Sequence, residues 1–278
     1  MQYSSVGGSS GAAPWDPALY ARFAEPRFRP ILDLLARVPL ARPGFVADLG
    51  CGAGQATRVL AAQWPGARVV GVDSSPEMLD EARAGGPGPG PDPGPGAPAF
   101  IEADIARWQP AAPPDLIFSN AALHWLPDHE ALLPRLVGLL APGGVLAVQM
   151  PRNFAEPSHT TIFETAAEGP WAAALAGRLP DPAPVAPPDA YLRLLRPLCA
   201  DLEVWETVYW QMLSGPDPVL EWTRATWLRP VLAAVPPAMR ADFLKAHAAR
   251  LAAAYPPEAD GRTIFPFRRL FLVARRAG

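Results

Sequence analysis

The chain is predicted to be an α/β protein built on a mostly parallel sheet with helices on both faces. Three observations predict it. Short, near-continuous apolar runs at 45–49, 68–72, 99–103, 115–120 and 145–150 alternate with amphipathic stretches. That is the pattern of strands buried on both faces and joined by crossover helices. The first run enters Gly50-Cys51-Gly52-Ala53-Gly54, and a helical pattern starts directly after it. The second run ends on Asp73, 21 positions after Gly52. An acid at that distance beyond a glycine-rich turn is where a ribose hydroxyl pair is gripped in nucleotide-type folds.

The elements follow in order. Residues 1–13 are small and polar and are expected to form a disordered tail. Pro14-Trp15-Asp16-Pro17 then leads to a short helix carrying Tyr20 and Phe23, and a longer helix places Phe28, Ile31, Leu32, Leu35 and Val38 at helical spacing. After the first two strands, Ser74-Ser75-Pro76-Glu77 reads as a helix start, with Pro76 near the first helical position and Met78, Leu79 and Ala82 inward. The Pro-Gly tract at 85–98 can neither continue a helix nor pair as a strand, so a surface loop is expected there. The third strand ends on Asp104 and the fourth on Asn120. A helix with Leu132, Leu133, Leu136, Leu139 and Leu140 reaches Pro142-Gly143-Gly144 and the fifth strand.

From Pro151 the pattern turns helical through about Pro256, interrupted by the alternating segment Val204-Trp205-Glu206-Thr207-Val208-Tyr209, which suits an edge strand. Residues 269–274 read as the last strand. The expected organisation is one domain over 14–278: an N-terminal helical lid at 14–43, a core at 44–150, a helical substrate lid at about 151–200 and 211–262, and C-terminal strands at about 203–210 and 267–275.

Composition narrows the function. Of 278 residues, half are apolar, enough for a full core, and the net charge is −3. A protein held to nucleic acid by phosphate contacts would carry a basic surplus, so no nucleic-acid partner is expected. Lys245 is the only lysine. Cys51 and Cys199 are too few and too far apart for a disulfide framework or a metal set, and they fit a reducing cytoplasm. His124, His129, His159 and His247 do not fall at metal-ligand spacing; Pro127 breaks any helical face shared by the first two. No apolar run is long enough for a membrane span, and the start lacks the basic and apolar regions of a signal peptide. No membrane or obligate protein partner is expected.

Ligands of open α/β sheets bind at the carboxyl ends of the strands. The polar signals fall there: Gly50 and Gly52 after strand one, Asp73 after two, Asp104 after three and Asn120 after four. The turn has Gly-x-Gly-x-Gly rather than the dinucleotide Gly-x-Gly-x-x-Gly, there is a single nucleotide-type half, and no P-loop lysine is present.

Asp48-Leu49-Gly50-Cys51-Gly52-Ala53-Gly54, Asp73, Asp104 and the tip of strand four resemble the Rossmann-like class I S-adenosylmethionine-dependent methyltransferases. The resemblance implies a seven-stranded sheet and S-adenosyl-L-methionine as cofactor, leaving as S-adenosyl-L-homocysteine. It implies Asp48, Gly50, Cys51 and Gly52 near the methionine part and Asp73 on the ribose. Asp104 and Ile105 would sit at the adenine, Asn120 and Ala121 on the sulfonium side, and Ser74 and Met78 beside the ribose and adenine. Further blocks resemble the trans-aconitate 2-methyltransferase family: Trp15-Asp16-Pro17…Tyr20…Phe23, Arg27-Phe28-Arg29-Pro30, Trp125-Leu126-Pro127-Asp128-His129, Ala147-Val148-Gln149-Met150-Pro151, Asn153…Glu156-Pro157-Ser158-His159, Leu228-Arg229-Pro230, Tyr255-Pro256 and 270–276. The likeness spans about 14–276, with the Pro-Gly tract as an insertion. Ala53 stands where the family often has Pro, and His124 where Gln is common.

The implied reaction moves the sulfonium methyl to a carboxylate oxygen. A carboxylate of pKa about 4 is already ionised at neutral pH, so no general base is required and no catalytic acid or base is assigned. A polycarboxylate needs cationic recognition, which Arg provides with paired donors. The candidates are Arg229, Arg29, Arg27 and Arg269, with His159 and Asn153 as hydrogen-bond donors and Tyr20 and Trp125 as walls. Another small acceptor with a carboxyl, hydroxyl or amine keeps the same cofactor site, and a non-catalytic S-adenosylmethionine-binding protein is the reading from a different class.

Overall fold

A computed structural model describes residues 28–85, 97–224 and 227–278. The expected tail, the short helix with Tyr20 and Phe23, Arg27, and most of the Pro-Gly tract lie outside the described residues. In chain order the elements are α1 (Arg29–Leu35), β1 (Phe45–Leu49), α2 (Gln55–Gln63), β2 (Arg68–Asp73), α3 (Pro76–Ala84), β3 (Ala99–Glu102), β4 (Leu116–Asn120), α4 (His129–Leu139) and β5 (Val145–Pro151). Then come α5 (Pro157–Glu168), α6 (Ala172–Leu175), α7 (Pro188–Leu195), β6 (Cys199–Leu213), α8 (Pro218–Arg224), α9 (Leu228–Ala234), α10 (Arg240–Ala254) and β7 (Thr263–Arg276). The chain divides into two compact units. Among the described residues the first comprises 28–85, 97–150, 187–205 and 271–278; the second comprises 151–186, 206–224 and 227–270.

The seven strands run in the order β3-β2-β1-β4-β5-β7-β6. β1 pairs parallel with both β2 and β4, β2 with β3, and β4 with β5. The order reverses at β1, which puts the glycine turn and the tip of β4 beside the switch point where open α/β sheets take their ligands. Val46, Ala47, Asp48 and Leu49 are all buried, as are all seven residues of β5. Burial on both faces explains the unbroken apolar runs.

Local chemistry sets the helix ends. Ser75 Oγ caps α3 by accepting the Met78 N–H at 3.2 Å, with Pro76 in the first turn. Leu79 and Ala82 of α3 are fully buried, whereas Met78, expected inward, is 39% exposed. In α1 Leu34 rather than Leu35 is fully buried, beside Ile31 and Leu32. Asp128 caps α4 through the Ala131 N–H at 3.0 Å. Tyr191 of α7 donates to or accepts from His129 Nδ1 at 2.7 Å, while His129 Nε2 reaches the Leu123 carbonyl at 2.9 Å.

The second unit is built on α5, α6, α8, α9 and α10 with residues 206–213 of β6 and 263–270 of β7. Ile162, Leu175, Phe243 and Phe265 are almost fully buried in it, and Trp171 meets Phe243 edge-on at 5.2 Å. Both C-terminal strands exceed expectation. β7 begins at Thr263 because Thr263, Phe265 and Phe267 alternate inward while Ile264 is exposed. Pro266 within that run masks the strand signal in the sequence.

Candidate active site

The tips of β1, β2 and β4 build a cradle in the first unit from residues that only this backbone path permits. Gly50 has φ +74°, and a Cβ placed there would lie 2.1 Å from the Ala122 Cβ and 3.5 Å from Ile105 Cδ1. Gly50, Ala122 and Ile105 are therefore packed against one another with room for no side chain. Gly52, at φ +53°, faces open space: nothing lies within 4 Å of a Cβ built on it. The Gly50 and Cys51 N–H groups donate to the Val72 carbonyl at 2.8 and 3.1 Å, which folds the turn back over β2.

Asp73 locks that fold. Its Oδ2 accepts the Gly52 N–H at 2.8 Å and its Oδ1 accepts the Ser75 N–H at 2.9 Å. A carboxylate has about four acceptor positions, so about two remain for a ligand. Asp48 is buried, with Oδ2 accepting the Thr57 hydroxyl at 2.7 Å and Oδ1 buried without a hydrogen-bond partner. Burial pushes its carboxyl up from the ordinary 3.8 to about 7; the Thr57 hydroxyl opposes the rise and the Asp73 charge adds to it. Asn120 at the end of β4 likewise keeps a buried Oδ1 without a partner, followed by Ala121 at φ +54°. Cys51 is buried in the turn, and desolvation pushes its thiol up, away from the reactive thiolate. Beyond β3, Asp104 is exposed and caps its own loop through the Ala106 N–H at 2.9 Å. Arg135 holds the Ile105 and Trp108 carbonyls at 2.5 and 2.9 Å. Ser74 and Met78 are exposed at the start of α3.

The donor set decides which ligand fits. The charged side chains at the tips of β1 and β2 are the carboxylates of Asp48 and Asp73. The nearby Arg58 guanidinium is occupied by the Ala53 and Ala82 carbonyls at 2.7 and 3.0 Å. Two buried acceptors await a donor. A pyrophosphate would have to lie against the two carboxylates. An amino group and ribose hydroxyls find acceptors here, and a sulfonium finds negative charge, so the residues fit S-adenosylmethionine. Thr57 and Ala122 complete the cradle and were not singled out from the sequence; Thr57 lies nine positions after Asp48, within the first turn of α2, which is the only signal it gives.

The second unit holds a buried polar cluster. Asn153, Ser158 and His159 are almost fully buried. Ser158 Oγ lies 3.0 Å from His159 Nδ1, and Asn153 Nδ2 lies 3.3 Å from both. The Ser158 N–H donates to the Tyr255 hydroxyl at 3.1 Å, fastening the start of α5 to the end of α10. The Phe154 and Trp227 rings sit 5.1 and 5.8 Å from the His159 ring. Burial, and then the proximity of His247, pull His159 down from 6.5 to about 4, so it is neutral at physiological pH. Asn153 and His159 are thus brought together. Ser158, Tyr255, Trp227 and His247 join them; Ser158 and Tyr255 stood in resembling blocks, while His247 gave no signal in the sequence.

The remaining candidates are more scattered. Arg269 of β7 is half-buried with its guanidinium 4.7 Å from the Phe267 ring centroid, and desolvation lowers it to about 10. Arg229 is exposed in the first turn of α9. Arg29 is exposed on α1, 3.9 Å from Asp33 in an i,i+4 ion pair. Trp125 is 48% exposed with its ring 4.9 Å from that of His124. Tyr20 and Arg27 lie outside the described residues.

This sheet order, with an acceptor-lined glycine turn at its switch point, defines a class I S-adenosylmethionine-dependent methyltransferase. The family model described as "Methyltransferase domain" matches residues 46–144. Phosphoethanolamine N-methyltransferase 2 of Haemonchus contortus, in complex with S-adenosyl-L-methionine, superposes with a TM-score of 0.53 at 17% identity, covering 94% of this chain and 56% of that one. Two relatives extend the match to nearly the whole chain. The trans-aconitate 2-methyltransferase of Methylobacterium radiotolerans is 50% identical over 270 residues, 95% of this chain and 99% of its own length. That of Azoarcus sp. is 50% identical over 263 residues, 94% and 99% of the two chains. The chain belongs to the trans-aconitate 2-methyltransferase family.

Proposed function

We propose that this enzyme transfers the methyl group of S-adenosyl-L-methionine to one carboxylate of trans-aconitate, giving a methyl ester and S-adenosyl-L-homocysteine. The observation that carries the reading is 50% identity to trans-aconitate 2-methyltransferases along nearly the full length of both chains, which includes the second unit and not the cofactor-binding core alone.

When bound, the cofactor supplies an electrophilic methyl on a sulfonium. The residues' part is binding and alignment. Asp48, Gly50, Cys51, Gly52 and Asn120 with Ala121 are assigned to the methionine and sulfonium portion, Asp73 with Ser74 and Met78 to the ribose, and Asp104 with Ile105 to the adenine. No residue needs to take a proton, because an acid of this kind is ionised at neutral pH. Orientation of the attacking oxygen in line with the methyl and sulfur can supply roughly 7–11 kcal/mol. For the acid, Arg229, Arg269, Arg29 and Arg27 are assigned as cations, His159 and Asn153 as polar contacts, and Tyr20 and Trp125 as walls. The cytoplasm is the assigned compartment, in keeping with two free cysteines and with no helix among the described residues long and apolar enough to cross a membrane.

The test is methyl transfer to an acceptor panel. Full-length protein with methyl-labelled S-adenosyl-L-methionine should convert trans-aconitate to a base-labile ester, faster than other di- and tricarboxylates. Preference for an amine or phenol would replace the substrate assignment. Cofactor binding without transfer to any acceptor would favour a non-catalytic role.

A further inference from the structure

The buried cluster around His159 fixes more than its position. His159 Nδ1 is within 3.0 Å of the Ser158 hydroxyl and 3.3 Å of the Asn153 side-chain amide. Two proton arrangements satisfy these distances and also give the Ser158 hydroxyl hydrogen an acceptor; a third, with Nδ1–H and the Asn153 NH2 both donating to Ser158 Oγ, leaves that hydroxyl hydrogen without one. In one, the Asn153 NH2 donates into the pair, the Ser158 hydroxyl donates to an unprotonated Nδ1, and the Asn153 oxygen is the group left without a partner. In the other, the amide is flipped, Nδ1–H donates to Ser158 or to Asn153, and the Asn153 NH2 is orphaned. Buried N–H groups without partners are rarer than under-satisfied carbonyl oxygens, so the first arrangement is preferred. It leaves Asn153 Oδ1 buried and partnerless.

The other ring nitrogen is then the donor. No described residue engages His159 Nε2. It also differs from His247 Nε2, which is buried and without a partner. The ring is held on its faces and edges by Phe154 and Trp227. A histidine only 4% exposed thereby offers a single polar atom.

We infer that Ser158 and Asn153 are positioning residues that lock His159 as the neutral Nε2–H tautomer, so that it offers the acid substrate one uncharged hydrogen-bond donor rather than an imidazolium. The inference rests on the assignment of His159 to the acid. Its consequence is a division of labour: guanidinium groups neutralise carboxylates, while the carboxylate met by His159 keeps its full charge. The titratable neighbours of His159 agree with a neutral ring. Burial, and then the nearby His247 of α10, disfavour a charged His159, and Tyr255, bonded to the Ser158 N–H, has its hydroxyl pushed up by burial and stays neutral.

The test is 15N NMR of the imidazole nitrogens in the full-length protein, with His159 assigned by comparison with His159→Gln. Nδ1 should show the shift of an unprotonated nitrogen and Nε2 that of an N–H, unchanged between pH 5.5 and 8. Ser158→Ala should weaken that bias and raise the KM for the acid about 5- to 10-fold with kcat altered less than twofold, and Ser158→Thr, which keeps the hydroxyl, should restore both. A protonated Nδ1 in the wild-type protein, or an imidazolium at pH 6, overturns the inference without any variant. Unchanged tautomer and KM in a folded Ser158→Ala protein overturn it as well. The tautomer readout stands even if trans-aconitate proves not to be the acceptor, so the two assignments fail separately.

Discussion

Asp73 and Gly52 are joined across 21 residues by one hydrogen bond, the Gly52 N–H donating to Asp73 Oδ2 at 2.8 Å. The bond makes the acid at the end of β2 part of the glycine turn after β1. On the proposed assignment of Asp73 to the ribose, ligand grip and turn geometry depend on the same carboxylate. Asp73→Ala should weaken S-adenosyl-L-homocysteine binding by roughly 10- to 100-fold, since hydrogen bonds to a charged group contribute about 1.5–3 kcal/mol. The KM for the acid should change much less. Equal loss of both would mean that the turn had collapsed rather than released its ligand.

Gly50 and Gly52 share a positive φ but face different surroundings, and alanine should separate their roles. Gly50→Ala places a methyl 2.1 Å from the Ala122 Cβ, adding about 1–3 kcal/mol of overpacking to about 1–2 kcal/mol of left-handed strain. It should lower Tm markedly. Gly52→Ala meets no neighbour, so it should cost only the strain while placing a methyl where the ligand approaches. Expected is a protein that melts closer to wild type but binds the cofactor at least tenfold more weakly. Differential scanning calorimetry with ligand titration reads both.

Asp48 should make cofactor binding release a proton. Burial holds its carboxyl at about 7 in the free protein, and a cationic ligand favours the ionised form. Binding should therefore tighten as pH rises from 6 to 8. The calorimetric heat at pH 7 should vary with the ionisation enthalpy of the buffer, and Asp48→Asn should abolish that variation.

Acid stability carries the opposite sign from the two buried histidines. His159 and His247 both fall to about 4 in the folded state through desolvation, from an ordinary 6.5. A depressed pKa means stability that is full above about 6.5 and lost as pH falls toward 4. Asp48 is raised, so its contribution is full below about 4 and lost as pH rises to 7. With two protons against one, these groups predict a urea midpoint that rises between pH 4.5 and 6.5. His247→Asn should flatten the rise; a midpoint that falls over that range would contradict the assignment.

Tyr191→Phe should destabilise by about 1–3 kcal/mol, because it leaves the buried Nδ1 of His129 without its 2.7 Å partner. Chemical denaturation would measure it, and a change under 0.5 kcal/mol would show that the bond carries little weight.

Most of the candidate cradle was legible as local structure in the sequence because its parts are close along the chain. A glycine turn after an apolar run, and an acid at the next strand tip, need no knowledge of distant packing. The cluster around His159 was legible only in part. Asn153 and His159 lie six residues apart, but His247 reaches them from α10 and Tyr255 from just beyond its end, a pairing that helical periodicity does not encode. Boundaries failed where one residue contradicted its neighbours: Pro266 hid the beginning of β7, and the inward face of α3 begins at Leu79 rather than Met78. The contribution of each arginine to acid binding depends on tertiary placement, and spacing along the chain carries little of it.

The central claim is that the cradle carrying the Asp48 and Asp73 carboxylates holds a cationic methyl donor in preference to a dinucleotide. Isothermal titration of the full chain tests it most directly, with S-adenosyl-L-methionine, S-adenosyl-L-homocysteine and NAD as titrants. Saturable, one-to-one heat from the first two and none from NAD is predicted. Heat from NAD alone, or from none of the three, would contradict the account.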